Sequence, residues 1–154
     1  MLNTLQHGDR LMVVNPIFYH DYKYGDIVIL RKTGVFDNEP IVKRVIATGG
    51  QTVDIDFSEG VVYVDGEALE EDYIREPTYT AEGTEFPLTV PEGSIFVMGD
   101  NRNHSEDSRF SDVGCVKKEA VLGKVLLVVF PGRQTNEFGA VTGGRSWHRF
   151  GAVS

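Results

Sequence analysis

The sequence is poor in the residues that cross-link small domains or hold metal ions. It contains a single cysteine, Cys115, so no disulfide can form within the chain. Cys115 and the four histidines show neither a CxxC nor an HxxxH spacing, which argues against a structural metal site. Nothing around Cys115 indicates an activated thiol. We therefore expect Cys115 to be a packing residue, and we expect no cofactor.

Positive charge and long apolar runs are also scarce. Lys and Arg number 15 against 23 Asp and Glu, which gives a net charge of −8. Nucleic-acid binding depends on clusters of cations, so nucleic acid is not an expected partner. No apolar run approaches the roughly 18 residues of a membrane span, and the N-terminus lacks the pattern of a secretion signal. The chain as written is expected to be soluble.

The sequence is rich in short Val, Ile, Phe and Tyr runs separated by Gly, Asp, Asn and Pro, a pattern typical of strands and turns. Asp65-Gly66 predicts a tight hairpin turn, Gly49-Gly50 predicts another reversal, and residues 117–121 predict a single helical turn. The predicted strands are 10–14, 26–31, 40–47, 51–57, 61–64, 94–98 and 122–130. The pattern therefore predicts a mainly β protein.

A chain of 154 residues fits one domain with its own hydrophobic core, and we take residues 1–154 as that domain. Residues 67–92 are acidic and polar with three prolines, which predicts an exposed excursion with a solvated face. Residues 142–154 lack strand periodicity and predict a loosely held tail.

Two cations interrupt the apolar run Ile41-Val-Lys-Arg-Val-Ile46. In a strand, Lys43 shares a face with Ile41 and Val45, and Arg44 lies on the opposite face. A strand lysine is usually a surface residue whose ammonium reaches solvent. In a dry site, however, its pKa falls and the neutral amine can act as a general base.

A dense polar segment, residues 99–109, directly follows the apolar strand that ends at Met98. It has two interpretations. It is either a loop organised by its own Asp and Arg pairs, or a polar ledge beside an active site. A serine nucleophile activated by lysine would need an apolar wall around the amine and a hydroxyl to orient it, which Ile41, Val45 and Ser105 could supply.

An independent resemblance favours the second interpretation. Separated blocks of the sequence resemble those of type I signal peptidases, in the family's order from residue 1 to about 131. The blocks are Met1 to Leu5 with His7 to Leu11, Gly25-Asp-Ile-Val28, Lys43-Arg-Val-Ile-Ala47, Gly99-Asp-Asn-Arg102 with Ser105, Asp107, Ser108 and Arg109, then Gly123-Lys124 and Pro131. Any one block is weak, but the ordered set is highly specific.

The resemblance implies a serine endopeptidase that uses a Ser-Lys dyad to remove signal peptides from exported preproteins at the membrane surface. The implied fold consists of coiled antiparallel β-sheets forming a partly open barrel-like domain, with at most one or two short helical turns. In the parent protein such a domain is carried on one or more membrane spans and lies on the extracytoplasmic side of the cell membrane.

The resemblance also implies roles for individual residues. Lys43 matches the general base and Ser105 the hydroxyl that orients it. Asp107 and Arg109 match a buried ion pair that shapes the loop, and Gly99 matches a position where the backbone approaches the lysine. The remaining matches fall where the family lines shallow apolar pockets for small substrate side chains, at Met1, Leu5, Ile41 and Val42.

The chain departs from the family pattern at its start. The nucleophilic serine of the motif falls immediately before Met1, at a position that the sequence does not contain, so the chain as written is predicted to be inactive. We expect Met1 to mark a fragment boundary just after the nucleophile. Asn3 also replaces the usual proline, and residues 110–113 make a longer stretch than the family pattern leads us to expect.

Two alternatives remain open. The chain could be a naturally non-catalytic relative, a β module that binds extended peptides without cleaving them. It could also keep the Ser-Lys chemistry but belong with the self-cleaving repressor proteases, which the Gly99-Asp-Asn-Arg102 block and the lack of a DNA-binding region argue against. Upstream sequence would separate the first alternative from the enzyme.

Overall fold

The computed structural model describes residues 4–19, 21–32, 34, 39–136 and 140–153. Within these residues the chain is mainly β, and all strand pairs are antiparallel. The strands are β1 Arg10–Val14, β2 Ile27–Leu30, β3 Ile41–Thr48, β4 Thr52–Asp56, β5 Val61–Val64, β6 Glu67–Ala68, β7 Leu88–Thr89, β8 Ser94–Met98, β9 Val116–Lys117, β10 Val121–Phe130, β11 Arg133–Thr135, β12 Val141–Arg145 and β13 Gly151–Ala152.

The strands form three sheets, none of which closes into a barrel in the described part of the chain. The largest has the order β1-β10-β2-β3-β8-β9, with β13 also paired to β10, while β6-β5-β4-β7 and β11-β12 form smaller sheets. The mainly β class with open antiparallel sheets is confirmed, and strands lie at all seven predicted positions. No described helix is long and apolar enough to cross a membrane.

Strands β3 and β8 form the centre of the fold because both of their faces are covered. Along β8, Ile95 and Val97 lie in one hydrophobic cluster, while Phe96 and Met98 lie in a second cluster with residues of β4 and β5. Every residue of β8 is buried. The polar loop that follows Met98 therefore begins at a fixed point in the interior.

The predicted local turns are present. Asp65 and Gly66 have φ angles of 53° and 83°, as a tight hairpin between β5 and β6 requires. Gly50, with φ 86°, lies in the reversal between β3 and β4. The helical turn expected at 117–121 is a 3-10 turn over Lys118–Ala120. Two further 3-10 turns occur in the described residues, at Arg102–His104 and Trp147–Arg149.

The C-terminal residues differ from the loose tail predicted for 142–154. Strand β12 pairs with β11, and β13 pairs with β10. Arg149 also forms an ion pair with Asp9, at 2.6 Å between Nη1 and Oδ2. Periodicity did not reveal these strands, because they are short and their glycines carry no apolar pattern. The Arg149 ion pair depends on Asp9, which lies 140 residues earlier in the chain.

The acidic stretch 67–92 is only partly the exposed excursion that its composition predicts. Glu70, Asp72 and Glu85 are exposed, but Thr78 and Val90 are buried. The Thr78 amide donates to the Gly60 carbonyl over 2.9 Å, which fixes the stretch against the turn after β4. Cys115 is partly buried and packs against the cluster that includes Phe96, as expected of a packing residue.

Gly123 of β10 lies where β1 packs against β10, so a substitution there tests this packing. A Cβ at this position would overlap the Val13 side chain and approach the Val14 carbonyl oxygen to 2.7 Å. We expect Gly123→Ala to lower the free energy of unfolding by about 1–3 kcal/mol, because the strand pair must separate. Thermal unfolding followed by circular dichroism would measure the change.

The matched control is Gly144→Ala, because an added Cβ there meets no atom within 4 Å. This control should change the free energy of unfolding by less than about 0.5 kcal/mol. Equal melting temperatures for the two variants would contradict the packing of β1 against β10.

Candidate active site

Lys43 and Ser105, 62 residues apart in the chain, meet at one edge of β3. The Lys43 Nζ donates a hydrogen bond of 2.8 Å to the Ser105 Oγ. Lys43 lies on β3 opposite Val28 of β2, and Ser105 ends the 3-10 turn Arg102–His104 in the polar loop. The apolar strands therefore fix the lysine, and the loop carries the hydroxyl to it.

The surroundings of Lys43 favour its neutral form. Burial lowers the pKa of the ammonium from its ordinary value of 10.5. The carboxylate of Asp107 opposes this shift, and the guanidinium of Arg109 adds to it. The net direction is downward, so the amine can lose its proton more easily than a lysine in water.

At Gly99 the loop backbone passes close to the pair. A Cβ at this position would collide with the Ser105 side chain, at 2.7 Å from its Cβ, and would lie 3.6 Å from the Lys43 Nζ. Only glycine lets the loop approach this closely. This geometry agrees with the close approach that the resemblance implied for Gly99.

Asp107 and Arg109 form a fully buried ion pair, with 2.9 Å between Nε and Oδ1 and 2.9 Å between Nη2 and Oδ2. Asp107 also accepts a hydrogen bond of 3.0 Å from the Gly99 amide, so the pair ties the two ends of the loop together. The remaining Arg109 donors reach the carbonyls of Arg102 and Thr80. The Asp107–Arg109 pair thus shapes the loop that contains it. A loop organised by its own charged pairs was one of the two interpretations of residues 99–109.

Arg44 lies on the opposite face of β3 and is 1% exposed. Its guanidinium makes two parallel contacts with the Asp100 carboxylate, at 2.9 and 3.0 Å. Thr4 joins this pair by donating a hydrogen bond of 2.6 Å to Asp100. A planar guanidinium suits this bidentate geometry, which a lysine could not reproduce. Arg44 therefore fastens the N-terminal segment to the strand that carries Lys43.

The expected substrate-pocket residues fall into two groups. Ile41 lies with Lys43 and Ser105 in a cleft of about 520 Å³. Leu5 lies in a separate hydrophobic cluster with Ile27, and Val42 packs against that cluster. Met1 lies outside the described residues. The structure therefore brings Leu5 and Val42 together and places Ile41 beside the lysine.

Sequence patterns did not reveal the partner of Arg102. This buried arginine pairs with Glu71, at 2.6 Å between Nη2 and Oε1 and 2.8 Å between Nη1 and Oε2. Glu71 is one of several acids in the 67–92 stretch and carries no local signal that separates it from exposed neighbours such as Glu70. At the rim of the cleft, Asn103, His104 and Glu106 belong to the 99–109 segment that was interpreted as a possible polar ledge, whereas Glu82 of the 67–92 stretch was not expected there.

Comparisons with known proteins identify the family of this chain. The model of the family described as signal peptidase, peptidase S26, matches residues 1–130. The chain is 39% identical over 151 residues to a probable signal peptidase I-1 of Synechocystis sp., which covers 92% of this chain and 72% of the relative. It is 39% identical over 136 residues to a signal peptidase I of Bacillus licheniformis, covering 83% and 70%.

A solved structure of a signal peptidase I also matches the chain. The signal peptidase I of Enterococcus faecalis V583 superposes with a TM-score of 0.55 at 34% identity, covering 68% of this chain and 96% of that chain. Both the level of identity and the length of the family match exceed what a shared fold alone would produce. The chain belongs to the signal peptidase family, peptidase S26.

Proposed function

We propose that this chain is the catalytic domain of a serine endopeptidase that removes N-terminal signal peptides from exported preproteins through a Ser-Lys dyad. The observation that carries the proposal is the hydrogen bond between the Lys43 Nζ and the Ser105 Oγ, in surroundings that lower the lysine pKa. Membership of the signal peptidase family supplies the substrate class.

In this mechanism Lys43 is the general base. Its neutral amine takes the proton of a serine hydroxyl, the oxygen attacks the scissile carbonyl, and hydrogen-bond donors stabilise the oxyanion. Lys43 then gives the proton to the leaving amine, and the acyl-enzyme is hydrolysed by a water molecule that Lys43 deprotonates in turn. Ser105 orients the amine throughout and is not the nucleophile.

The nucleophile is the serine that the family motif places immediately before Met1. Thr4, four residues after that position, is held by Asp100 against Arg44, the neighbour of Lys43. Four extended residues span at most about 14 Å, so a serine at that position lies within about 14 Å of Thr4. The anchoring of Thr4 supports this placement of the nucleophile.

We also propose that the domain works at the extracytoplasmic surface of the cell membrane. Support comes from exposed apolar side chains on the turn after β1, where Ile17 and Phe18 are 76% and 82% exposed. Single exposed apolar side chains are common, but adjacent ones that form a patch mark protein or membrane contacts more often. A non-catalytic module that only binds peptides, the alternative function, would not require a buried lysine with a lowered pKa.

A longer chain, extended upstream so that a serine directly precedes Met1, should cleave peptides with small apolar residues at the first and third positions before the cut. We expect Lys43→Ala to reduce kcat by about a thousandfold or more, because no other group would accept the serine proton. Mass spectrometry of the peptide products would locate the cut, and progress curves would give the rate.

Lys117→Ala is the matched control, since Lys117 is an exposed lysine on a strand, and it should leave kcat unchanged. The 154-residue chain without the added serine should show no cleavage at any pH. Cleavage by that chain would contradict the assigned nucleophile, and normal turnover by Lys43→Ala would contradict the assigned base.

Ser105→Ala removes the hydrogen bond that holds the Lys43 amine and leaves the amine itself in place. We expect kcat to fall by about tenfold to a hundredfold, with a smaller change in KM, because the base loses its orientation rather than its basicity. Ser111→Ala, an exposed serine of the same region, serves as the control. A Ser105→Ala enzyme with the wild-type kcat would show that the hydroxyl has no part in catalysis.

The pH dependence of kcat/KM tests the state of Lys43. Only the neutral amine accepts a proton, so the rate should rise as the pH increases through the Lys43 pKa. Because burial lowers that pKa below 10.5, the rate should reach half of its maximum below pH 10.5. Lys43→Arg, which keeps the positive charge at all accessible pH values, should be inactive throughout. A rate that falls steadily from neutral pH upward would be incompatible with this base.

A further inference from the structure

Two side chains of the segment between β6 and β7, Glu71 and Tyr73, hold the polar loop from the side away from Lys43. We call them the Glu71–Tyr73 clasp. Glu71 binds Arg102 through both carboxylate oxygens, and its side chain is only 6% exposed. The Tyr73 hydroxyl donates a hydrogen bond of 2.8 Å to Glu71 and lies 3.0 Å from the Tyr24 hydroxyl.

The Tyr73 ring connects the two buried arginines. The Arg44 guanidinium carbon lies 3.8 Å from the ring centroid, and that of Arg102 lies 5.9 Å from it. A guanidinium stacked on an aromatic face is attracted by the ring quadrupole, and the attraction grows when the pair is desolvated. The hydrogen bonds of Arg44 leave the face of its guanidinium uncovered. The Tyr73 ring packs on that face and therefore restricts the guanidinium.

Arg44 in turn fixes two parts of the proposed active site. It is the neighbour of Lys43 on β3, and its partner Asp100 follows Gly99 at the start of the loop. Thr4 donates a hydrogen bond to Asp100 and accepts one from Arg44, which attaches the N-terminal segment to the same pair. A continuous set of contacts thus runs from the clasp, through Arg44 and Asp100, to Thr4.

The composition of the 67–92 stretch predicts a solvated face, and most of its acids fit that description. Glu71 and Tyr73 do not, because the Glu71 carboxylate is paired with the buried Arg102 and the Tyr73 ring lies over the buried Arg44. Burial also raises the pKa of the Tyr73 hydroxyl, so it stays a neutral donor at working pH. A segment that served only to cover the surface would not need these contacts.

We propose that the Glu71–Tyr73 clasp positions the nucleophile-bearing segment for the reaction. By restricting the Arg44–Asp100 pair, it fixes Thr4, the described residue that lies nearest in sequence to the proposed nucleophile. Tyr73 and Glu71 touch no reacting atom and act through Arg44 and Arg102. The role in catalysis depends on the proposed function, whereas the restraint on Arg44 does not.

The first experiment tests the restraint in the 154-residue chain and needs no activity. Hydrogen exchange of the Arg44 Nε–H, measured by NMR, reports whether its contact with Asp100 stays closed. We expect Tyr73→Leu to speed this exchange at least tenfold, and Tyr73→Phe, which keeps the ring, to change it less than threefold. Tyr79→Leu is the control, because Tyr79 lies in the same stretch and is 53% exposed. Unchanged Arg44 exchange in Tyr73→Leu would overturn the proposal.

The second experiment uses the chain with the added serine. Tyr73→Leu should lower kcat at least tenfold with KM within threefold of wild type, because the nucleophile is misplaced rather than the substrate lost. A core variant with a similar loss of melting temperature, Val53→Ala, should keep kcat, which separates positioning from simple destabilisation. A wild-type kcat in Tyr73→Leu would also overturn the proposal.

The two experiments distinguish the possible failures. If the serine-extended wild type cleaves nothing, the proposed function is wrong, while the exchange result still decides whether the clasp restrains Arg44. If Tyr73→Leu does not fold, Glu71→Gln replaces it, since this variant keeps the side-chain shape and weakens the hold on Arg102 and Tyr73. Glu71→Gln should speed the Arg44 Nε–H exchange and lower kcat, each by a smaller factor than Tyr73→Leu. Wild-type values for both the exchange rate and kcat would overturn the proposal.

Discussion

Three buried arginine–carboxylate pairs hold the polar loop and Thr4 against the strand that carries Lys43. They are Arg44–Asp100, Arg102–Glu71 and Arg109–Asp107. Near Lys43, the carboxylates of Asp107, Glu106 and Asp100 favour the charged amine, and the Arg109 guanidinium opposes them. Desolvation is the largest effect, and it lowers the lysine pKa.

The same pairs give the polar loop a fixed shape without regular secondary structure. Arg102 donates to the Gly99 carbonyl and to Thr78, and Arg109 donates to the carbonyls of Arg102 and Thr80. Each arginine thus joins segments that are distant in sequence. Buried ion pairs stabilise a protein little compared with apolar packing, but losing one partner leaves an uncompensated charge and costs about 3–5 kcal/mol. The arrangement therefore favours one specific conformation.

Much of the fold could be predicted from the sequence because its signals are local. Alternating β-branched residues mark the central strands, and Asp65-Gly66 supplies the positive φ angles of its hairpin. The separation of Lys43 from Arg44 follows from the two-residue repeat of a strand. That Ser105 should face Lys43 came from resemblance to a family, since 62 residues separate them and no periodicity relates them.

What the sequence determined by itself is the set of strands, the turn positions and the blocks that identify the family, since each depends on residues close together in the chain. Only the tertiary structure decided that Glu71 pairs with Arg102 while Glu70 is exposed, that Tyr73 stacks on Arg44, and that the C-terminal strands pair with β10 and β11. Ion pairs and ring contacts carry no sequence period, because any acid or ring of suitable reach could make them. The folded chain selects the one that it brings within a few ångströms and removes from water.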